Sequence, residues 1–496
     1  REDKWDYDWF AIRNAWYFYD KVDMVNDGTP QSYINQRKAE ALGLVAQRYY
    51  EMFKRYGGLP WIDHYITMGE SIDMSRMSIT RTVDSICSLL DRAIAMPELP
   101  ERNAVNEFGR VNKVALRMLK ARVLLWSASP LFNPEDNQSY YPSFNKQELI
   151  KHETYDKNRW QEAADACLEA INAAHGAGYA LYTKYGDPVK DYKAAVTEFP
   201  DIDANGTAKG NPEIIWGTRP ADSYASETYQ SGSRVTIWST LKQLRGTVGT
   251  YLIPLQNMVD KYELRNGSDQ PADYWQTTSD PYNNLDRRFN ATIYHHGYKL
   301  GKTVSPFTLD MRMEPAGDQY PAGAQNFTGY YLAKFFDDDY IAGAGNYPQA
   351  FWPYMRLSDL YLMYAEALNE VDYESNSGEI LHYVNLVRNR AGQPNLEDKP
   401  GFQATQAYVR ECIRKERIVE LCYEDQIYFD YKRWKVGDKY IGGNMYGMRI
   451  TGDMENPTFS KFLYETRVWS SKWYLFPLYQ TDVLTTNGVL AQNPGW

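Results

Sequence analysis

The sequence predicts an all-α protein in which paired helices support a large, irregular, loop-rich half. Apolar residues recur at helical spacing across approximately residues 6–180 and again across 352–436. The helices come in pairs with small residues at tight positions, such as Ala115 with Ala121 and Ala164 near Trp160. That pattern suggests degenerate helix pairs of tetratricopeptide type, with linkers too long for a regular array. From approximately 182 to 351 long periodic segments disappear, Gly, Pro, Asn and Asp rise, and Asn205-Gly206 and Asn266-Gly267 mark turns. Residues 1–496 are read as one domain, with 182–351 and the tail 437–496 as its ligand-facing region.

Each element follows from spacing and breakers. Asp6 to Val25 is a helix with Trp9, Ile12, Trp16 and Tyr19 on one stripe. Ser32 to Tyr56 keeps the period through Ile34, Leu42, Val45, Tyr49 and Phe53; Gly57-Gly58 stops it and Pro60 prevents a restart. The loop from Leu59 to Asp73 carries Trp61, Asp63, His64 and Tyr65. Ser78 to Met96, with Thr80 as cap, Gly109 to Ser129, and Tyr155 to Ala174 are the next helices. Within the loop-rich region a short helix is expected at Leu252 to Leu264. Helices resume at Trp352 to Val371 and Gly378 to Ala391.

Thr405 to Val436 contains neither Gly nor Pro, and reads as a helix buried together with its ion pairs. Glu416, Arg417 and Glu420 share its faces with Val409, Ile413 and Val419, and its end is aromatic. A catalytic helix with Glu and Arg as acid and base is the alternative, since both arrangements perturb charges. The tail beyond Gly437 reads as irregular and aromatic.

The formal net charge of −10 argues against a nucleic-acid partner. The four cysteines, Cys87, Cys167, Cys412 and Cys422, have no CxxC spacing and sit in apolar helical patterns, as buried thiols do. No apolar run is long enough to cross a membrane as a helix. The chain opens with helical periodicity already under way, so an N-terminal segment is expected to be missing. The sequence has no GxSxG, HExxH or Walker motif, and its histidines are scattered apart from the pair His295-His296. Asp201, Asp203, Asn205 and Gly206 match the first half of a calcium loop, but Pro212 stands where the closing acid belongs and Glu213 comes one residue late. An ordinary acidic turn competes with a structural calcium site there. A pair of carboxylates flanking a glycosidic bond would make a glycosidase, yet spacing alone cannot select a pair among 64 acidic residues.

Several ordered stretches resemble one family, the SusD/RagB-like surface glycan-binding lipoproteins. YINQRKAEALGLVAQRYYEMFKRYGGLPW is similar to the family's early helix and YG-x-P turn, and GRVNKVALRMLKARVLLWSASPLFN to its SPLFN helix. GNPEIIW, IPLQNMVDKYELRNG, DPYNNLDRRFNATIYHHG, RLSDLYLMYAEALNE and VNLVRNRAG follow in family order. The ERI-x-E-L-x-x-E…F-x-D-x-x-RW signature is carried by Glu416, Arg417, Glu420, Leu421, Glu424, Phe429, Asp430, Arg433 and Trp434, and LAQNPGW resembles the family's ending. The chain departs at Asp425, Gln426 and Ile427, where Gly-x-Arg is usual, at Tyr479 for Pro, and at Trp496 for Tyr.

The resemblance implies a SusD-like fold, no catalysis, no cofactor and a surface-exposed outer-membrane location through an N-terminal lipid absent from this chain. It implies capture of oligosaccharide or polysaccharide and delivery to a SusC-like TonB-dependent transporter. Capture of peptides is the alternative within the family; a glycosidase on a helical scaffold and a purely structural scaffold are alternatives outside it. Because aromatic rings stack on sugars and polar neighbours fix the hydroxyls, the candidate ligand residues are Trp61, Asp63, Trp238, Tyr274, Trp275 and Tyr282. The signature motifs are expected to be scaffold and not ligand site.

Overall fold

The computed structural model describes residues 4–198, 201–202, 208–218, 252–300, 307–313, 326–335 and 352–496. Helix α1 (Trp5–Lys21) buries Trp5, Asp8, Ile12 and Trp16 and runs into a 3-10 turn at Val22–Met24. Helix α2 (Gln31–Tyr56) is followed by two glycines that no larger residue could replace. Gly57 has φ +81°, and a Cβ on Gly58 would lie 2.1 Å from the Met77 carbonyl oxygen. Helix α3 (Ile79–Ile94) is capped by Ser78, whose hydroxyl accepts from the Arg81 amide at 3.3 Å. This corrects the expectation for Thr80, whose hydroxyl instead meets buried His152 at 2.8 Å. Asn112 caps α4 (Lys113–Ala128), and Asp187, with Pro188 at the first helical position, caps α6 (Pro188–Thr197). Between them lies α5 (Asn158–Gly176).

Consecutive helices pack on one another, α1 on α2, α2 on α3, α3 on α4 and α4 on α5, which gives the expected helix-pair arrangement. Helix α7 (Leu357–Arg390) then packs on α5, and α8 (Gln406–Glu420) packs on α7. Helix α7 is broken where the sequence separates two helices. Asp372 is extended, and its carboxylate accepts from the Glu374 and Ser375 amides, so it caps the second half. The stretch read as one helix from Thr405 to Val436 is also two. After α8 the chain turns through Tyr423 and Asp425, both left-handed at φ +64° and +60°, before α9 (Ile427–Arg433). Asp425 thus stands in the glycine-favouring conformation at the position where the family usually has Gly; Asp is among the residues that tolerate it best.

Two further expectations are corrected. The helix expected over Leu252 to Leu264 is one turn, Gln256–Val259, because Gln270 reaches back to the Val259 and Tyr262 carbonyls and Leu264 pairs with Leu285 in an isolated bridge. The tail contains a long antiparallel hairpin. Besides the short pair β1 (Ile214–Gly217) and β2 (Pro353–Arg356), strand β3 (Gly443–Gly452) pairs with β4 (Pro457–Arg467). Met448 and Ile450 face inward around exposed Arg449, the alternation of a half-covered strand.

Two cores result. The first fills the helix pairs and takes Val409 and Ile413 of α8. The second is aromatic, built from Tyr262, Tyr274, Trp275, Tyr282, Phe289 and Tyr330 with Met448, Ile450 and Phe459 of the hairpin, and it takes Val419 of α8. Helix α8 is therefore a seam, and buried charges line it. Glu416 accepts from Arg288 (2.5 Å) and Arg388 (3.0 Å). Glu420 accepts from Arg288 (3.0 Å), Arg356 (2.5 Å) and Arg390. Glu424 joins Arg356 to Lys334, and Glu213 joins Arg356 to Arg390. With Asp286 on Arg288, and Glu263 between Arg388 and Lys399, six carboxylates meet six cations. A second cluster is also balanced: Asp359, Glu366 and Asp430 meet Arg122, Arg417 and Arg433. A buried charge is tolerable only when paired and hydrogen-bonded, so each ion here fixes the position of its partners.

Burial alone would push these carboxyls up. The guanidinium groups overcome it, holding Glu420 well below the usual carboxylate range through Arg390, Arg356 and Arg288, and Glu366 at about 2 through Arg433 and Arg417. A depressed pKa supplies stability that is full above the unfolded value of 4.5 and is lost as pH falls towards 2. For Glu366 that amounts to about 3 kcal/mol. The unfolding free energy of the wild-type chain is expected to fall across that window more steeply than that of Glu366→Gln. Parallel curves for the two proteins, measured by denaturant titration, would contradict this.

Candidate functional site

The loop between α2 and α3 is anchored at its base and folded back on α1. Arg76 donates to the carbonyls of Tyr56, Gly58 and Ala491, and Asn493 donates to those of Tyr56 and Phe476. The QNPGW ending thus completes the carbonyl end of α2, a task well suited to a side-chain amide. Further along, the Tyr49 hydroxyl accepts from the Ile62 amide (2.8 Å) and donates to the Ile62 carbonyl (3.1 Å), to which the Trp16 indole also donates at 3.0 Å.

On that base stands a shelf of half-buried and exposed groups. Trp61 stacks on Tyr49 with centroids 4.2 Å apart. The Tyr65 amide donates to Asp20 at 3.0 Å. Arg13 donates to the Tyr65 hydroxyl at 3.0 Å, with its guanidinium 5.0 Å from the ring centre, and Tyr17 meets the same ring edge-on at 5.0 Å. His64 bridges Asp63 (2.7 Å) and Glu70 (2.5 Å). Those two hydrogen bonds, Asp63 first and then Glu70, raise the His64 pKa to about 9, so the ring is charged at neutral pH. Aromatic surface, a fixed cation and exposed carboxylates lie side by side here, the combination that holds a polyhydroxylated ring by its face and its rim.

Of the six candidate ligand residues, the structure brings Trp61 and Asp63 together on this shelf. Trp238 lies outside the described residues. Tyr274, Trp275 and Tyr282 are corrected: they are core, with 4, 2 and 4% exposure. The Tyr274 hydroxyl donates to the Pro281 carbonyl, the Trp275 indole donates to Gln270 at 3.2 Å, and the Tyr282 ring is stacked on His295 at 4.1 Å and on Phe289 at 5.7 Å. A loop-rich segment with no helical period still needs a core, and these rings provide it. Asp201 begins a two-residue strand, whereas Asp203 and Asn205 lie outside the described residues. Glu213, the late closing acid of the calcium pattern, is committed to Arg356, Arg390 and Ser358 in the buried network. Among the described residues no group of three or more His, Cys, Asp and Glu side chains is placed to hold a metal.

The shelf residues absent from the six ligand candidates are Arg13, Tyr17 and Asp20 on α1, with Glu70 and the already noted His64 and Tyr65 on the loop. The large polar and aromatic side chains on the outer side of α1 were a usable signal. What periodicity cannot show is that a loop some 45 residues later closes over them.

Comparisons with known proteins agree on one family. The model of the SusD family matches residues 212–496. The SusD-like protein P2 of Formosa agariphila is 28% identical over 170 residues, which cover 34% of this chain and 30% of that protein, so under a third of the relative's length is matched. A SusD-like protein of Bacteroides fragilis superposes with a TM-score of 0.75 at 23% identity, covering 100% of this chain and 86% of its own. A SusD-like carbohydrate binding protein of the same species gives a TM-score of 0.68 at 17% identity, over 95% and 83% of the two chains. At these identities the superpositions establish the fold.

If Trp275 is core and Trp61 is site, truncation separates them. Trp275→Ala is expected to lower stability by about 3–5 kcal/mol, as large-to-small core changes do. Equal unfolding midpoints for Trp275→Ala and wild type would contradict the core assignment.

Proposed function

The chain belongs to the SusD family, and from that premise we propose that it captures glycan at the cell surface without chemistry and passes it to a SusC-like TonB-dependent transporter. One observation carries this reading: the shelf of half-buried Trp61 and Tyr65 and exposed Tyr17 with Arg13, Asp63 and His64 around it. Stacking on such rings is shallow and leaves the ligand free to be handed on. Affinities of micromolar to millimolar, about −8 to −4 kcal/mol, suit that task.

A binding role also fits the state of the buried carboxylates. Glu366 and Glu420 are held ionised by several guanidinium groups each, so neither can act as a general acid near neutral pH. Among the described residues no helix is long and apolar enough to cross a membrane. Membership of the SusD family, whose proteins are outer-membrane-associated lipoproteins, supports a lipid-held position on the outer membrane.

Calorimetric titration against polysaccharides, oligosaccharides and peptides, followed by assay for new reducing ends, tests the proposal. One glycan class is expected to bind without product formation, and Trp61→Ala to weaken it about tenfold or more, a change of about 1.4 kcal/mol. Product formation would overturn the non-catalytic reading. Binding of peptides alone would overturn the glycan reading.

A further inference from the structure

A line of aromatic rings leaves the shelf along α1. A surface helix ordinarily turns polar residues outward. This one buries Trp5, Ile12 and Trp16 and still exposes Phe10 by 61% and Tyr17 by 51%. Phe10 and Tyr17 are seven residues apart, two helical turns, so they stand in one row about 10.5 Å from each other. That is close to the advance of two pyranose rings in a fully extended chain. Tyr17 touches Tyr65 of the shelf, which makes the row and the shelf one surface. Exposed Asp6, Arg13, Asn14 and Asp20 are interspersed with the rings, so they do not merge into one contiguous apolar patch of the kind that marks protein docking.

Helix α1 is tied to the body at two points: the Trp5 indole donates to Asp482 at 2.7 Å, and the Trp16 indole donates to the Ile62 carbonyl at 3.0 Å. Tyr7 has Lys4 and Arg48 over its ring, and Phe18 lines a separate groove between α1 and α2.

We propose that α1 is a linear extension of the glycan site, and that its ligand is a polysaccharide with a straight, ribbon-like chain, such as a β-1,4-linked one, running from Tyr65 and Tyr17 to Phe10. This rests on the glycan-capture reading above. A chain that coils cannot meet two rings on a straight helix.

The test compares trisaccharides with hexasaccharides of β-1,4-linked glucose, xylose and mannose, with the α-1,4-linked glucose series as the coiling control, on wild type, Phe10→Ala and Trp61→Ala. Phe10 is exposed, so its truncation leaves the fold intact, which the unfolding midpoint verifies. At least one straight hexasaccharide is expected to bind wild type about tenfold tighter than its trisaccharide, and Phe10→Ala to erase that gain while keeping trisaccharide affinity. Trp61→Ala is expected to weaken both lengths. A hexasaccharide bound no tighter than its trisaccharide, an unchanged gain in Phe10→Ala, or a preference for the coiling series overturns the extension alone. Failure of every oligosaccharide to bind wild type overturns the extension together with the glycan reading beneath it.

Discussion

Glu420 sits with no exposure on the seam helix and holds Arg288, Arg356 and Arg390 at once. Each of those cations belongs to a different piece of chain. Arg288 comes from the aromatic core, Arg356 from the end of β2, and Arg390 from the last turn of α7. A charge in the protein interior must be answered by an opposite one in hydrogen-bonding contact, and geometry leaves little freedom in how. The network therefore fixes where the loop-rich half sits on the helices. Apolar packing alone, which is non-directional, would define that placement poorly.

This explains why the signature residues recur in one short stretch and yet lie away from the shelf. Glu416, Glu420 and Glu424 face the second core, while Arg417, Asp430 and Arg433 face the first. The family match, residues 212–496, contains the whole of α8 and its turn, whereas every shelf residue lies before residue 71. Scaffold and shelf are thus separable, so the shelf can change without disturbing the ions that hold the fold.

Much of the helical scaffold was legible because its period is strong and its stops are physical. Gly57-Gly58 ends α2 because nothing larger fits against the Leu149 and Met77 carbonyls. Asp372 separates two helices that spacing alone had already separated. The ion pairs of the Thr405 stretch were legible in kind, since charges mixed with apolar residues at helical spacing must be buried as pairs. The break at Tyr423 to Asp425 was not, because neither residue announces a left-handed turn. The hairpin of β3 and β4 was hidden by a bulge, the register shifting between Leu463 and Glu465, and by Gly447, whose missing side chain makes room for Phe462. Among the candidate ligand residues, the loop position of Trp61 and Asp63 was readable from Gly57-Gly58 and Pro60, whereas Tyr274, Trp275 and Tyr282 show the limit of that reasoning. An aromatic residue in an irregular segment is as well suited to forming that segment's own core as to facing solvent.

The most direct test of the central claim is amide hydrogen exchange in Glu420→Gln. Removing one charge from a buried pair costs about 3–5 kcal/mol, and here it leaves three guanidinium groups short of a partner. If the network holds the two cores together, exchange accelerates across residues 256–300 and the β3–β4 hairpin while α2, α3 and α4 stay protected. Uniform acceleration throughout the chain, or none in the second core, would contradict the claim that these ions place one half on the other.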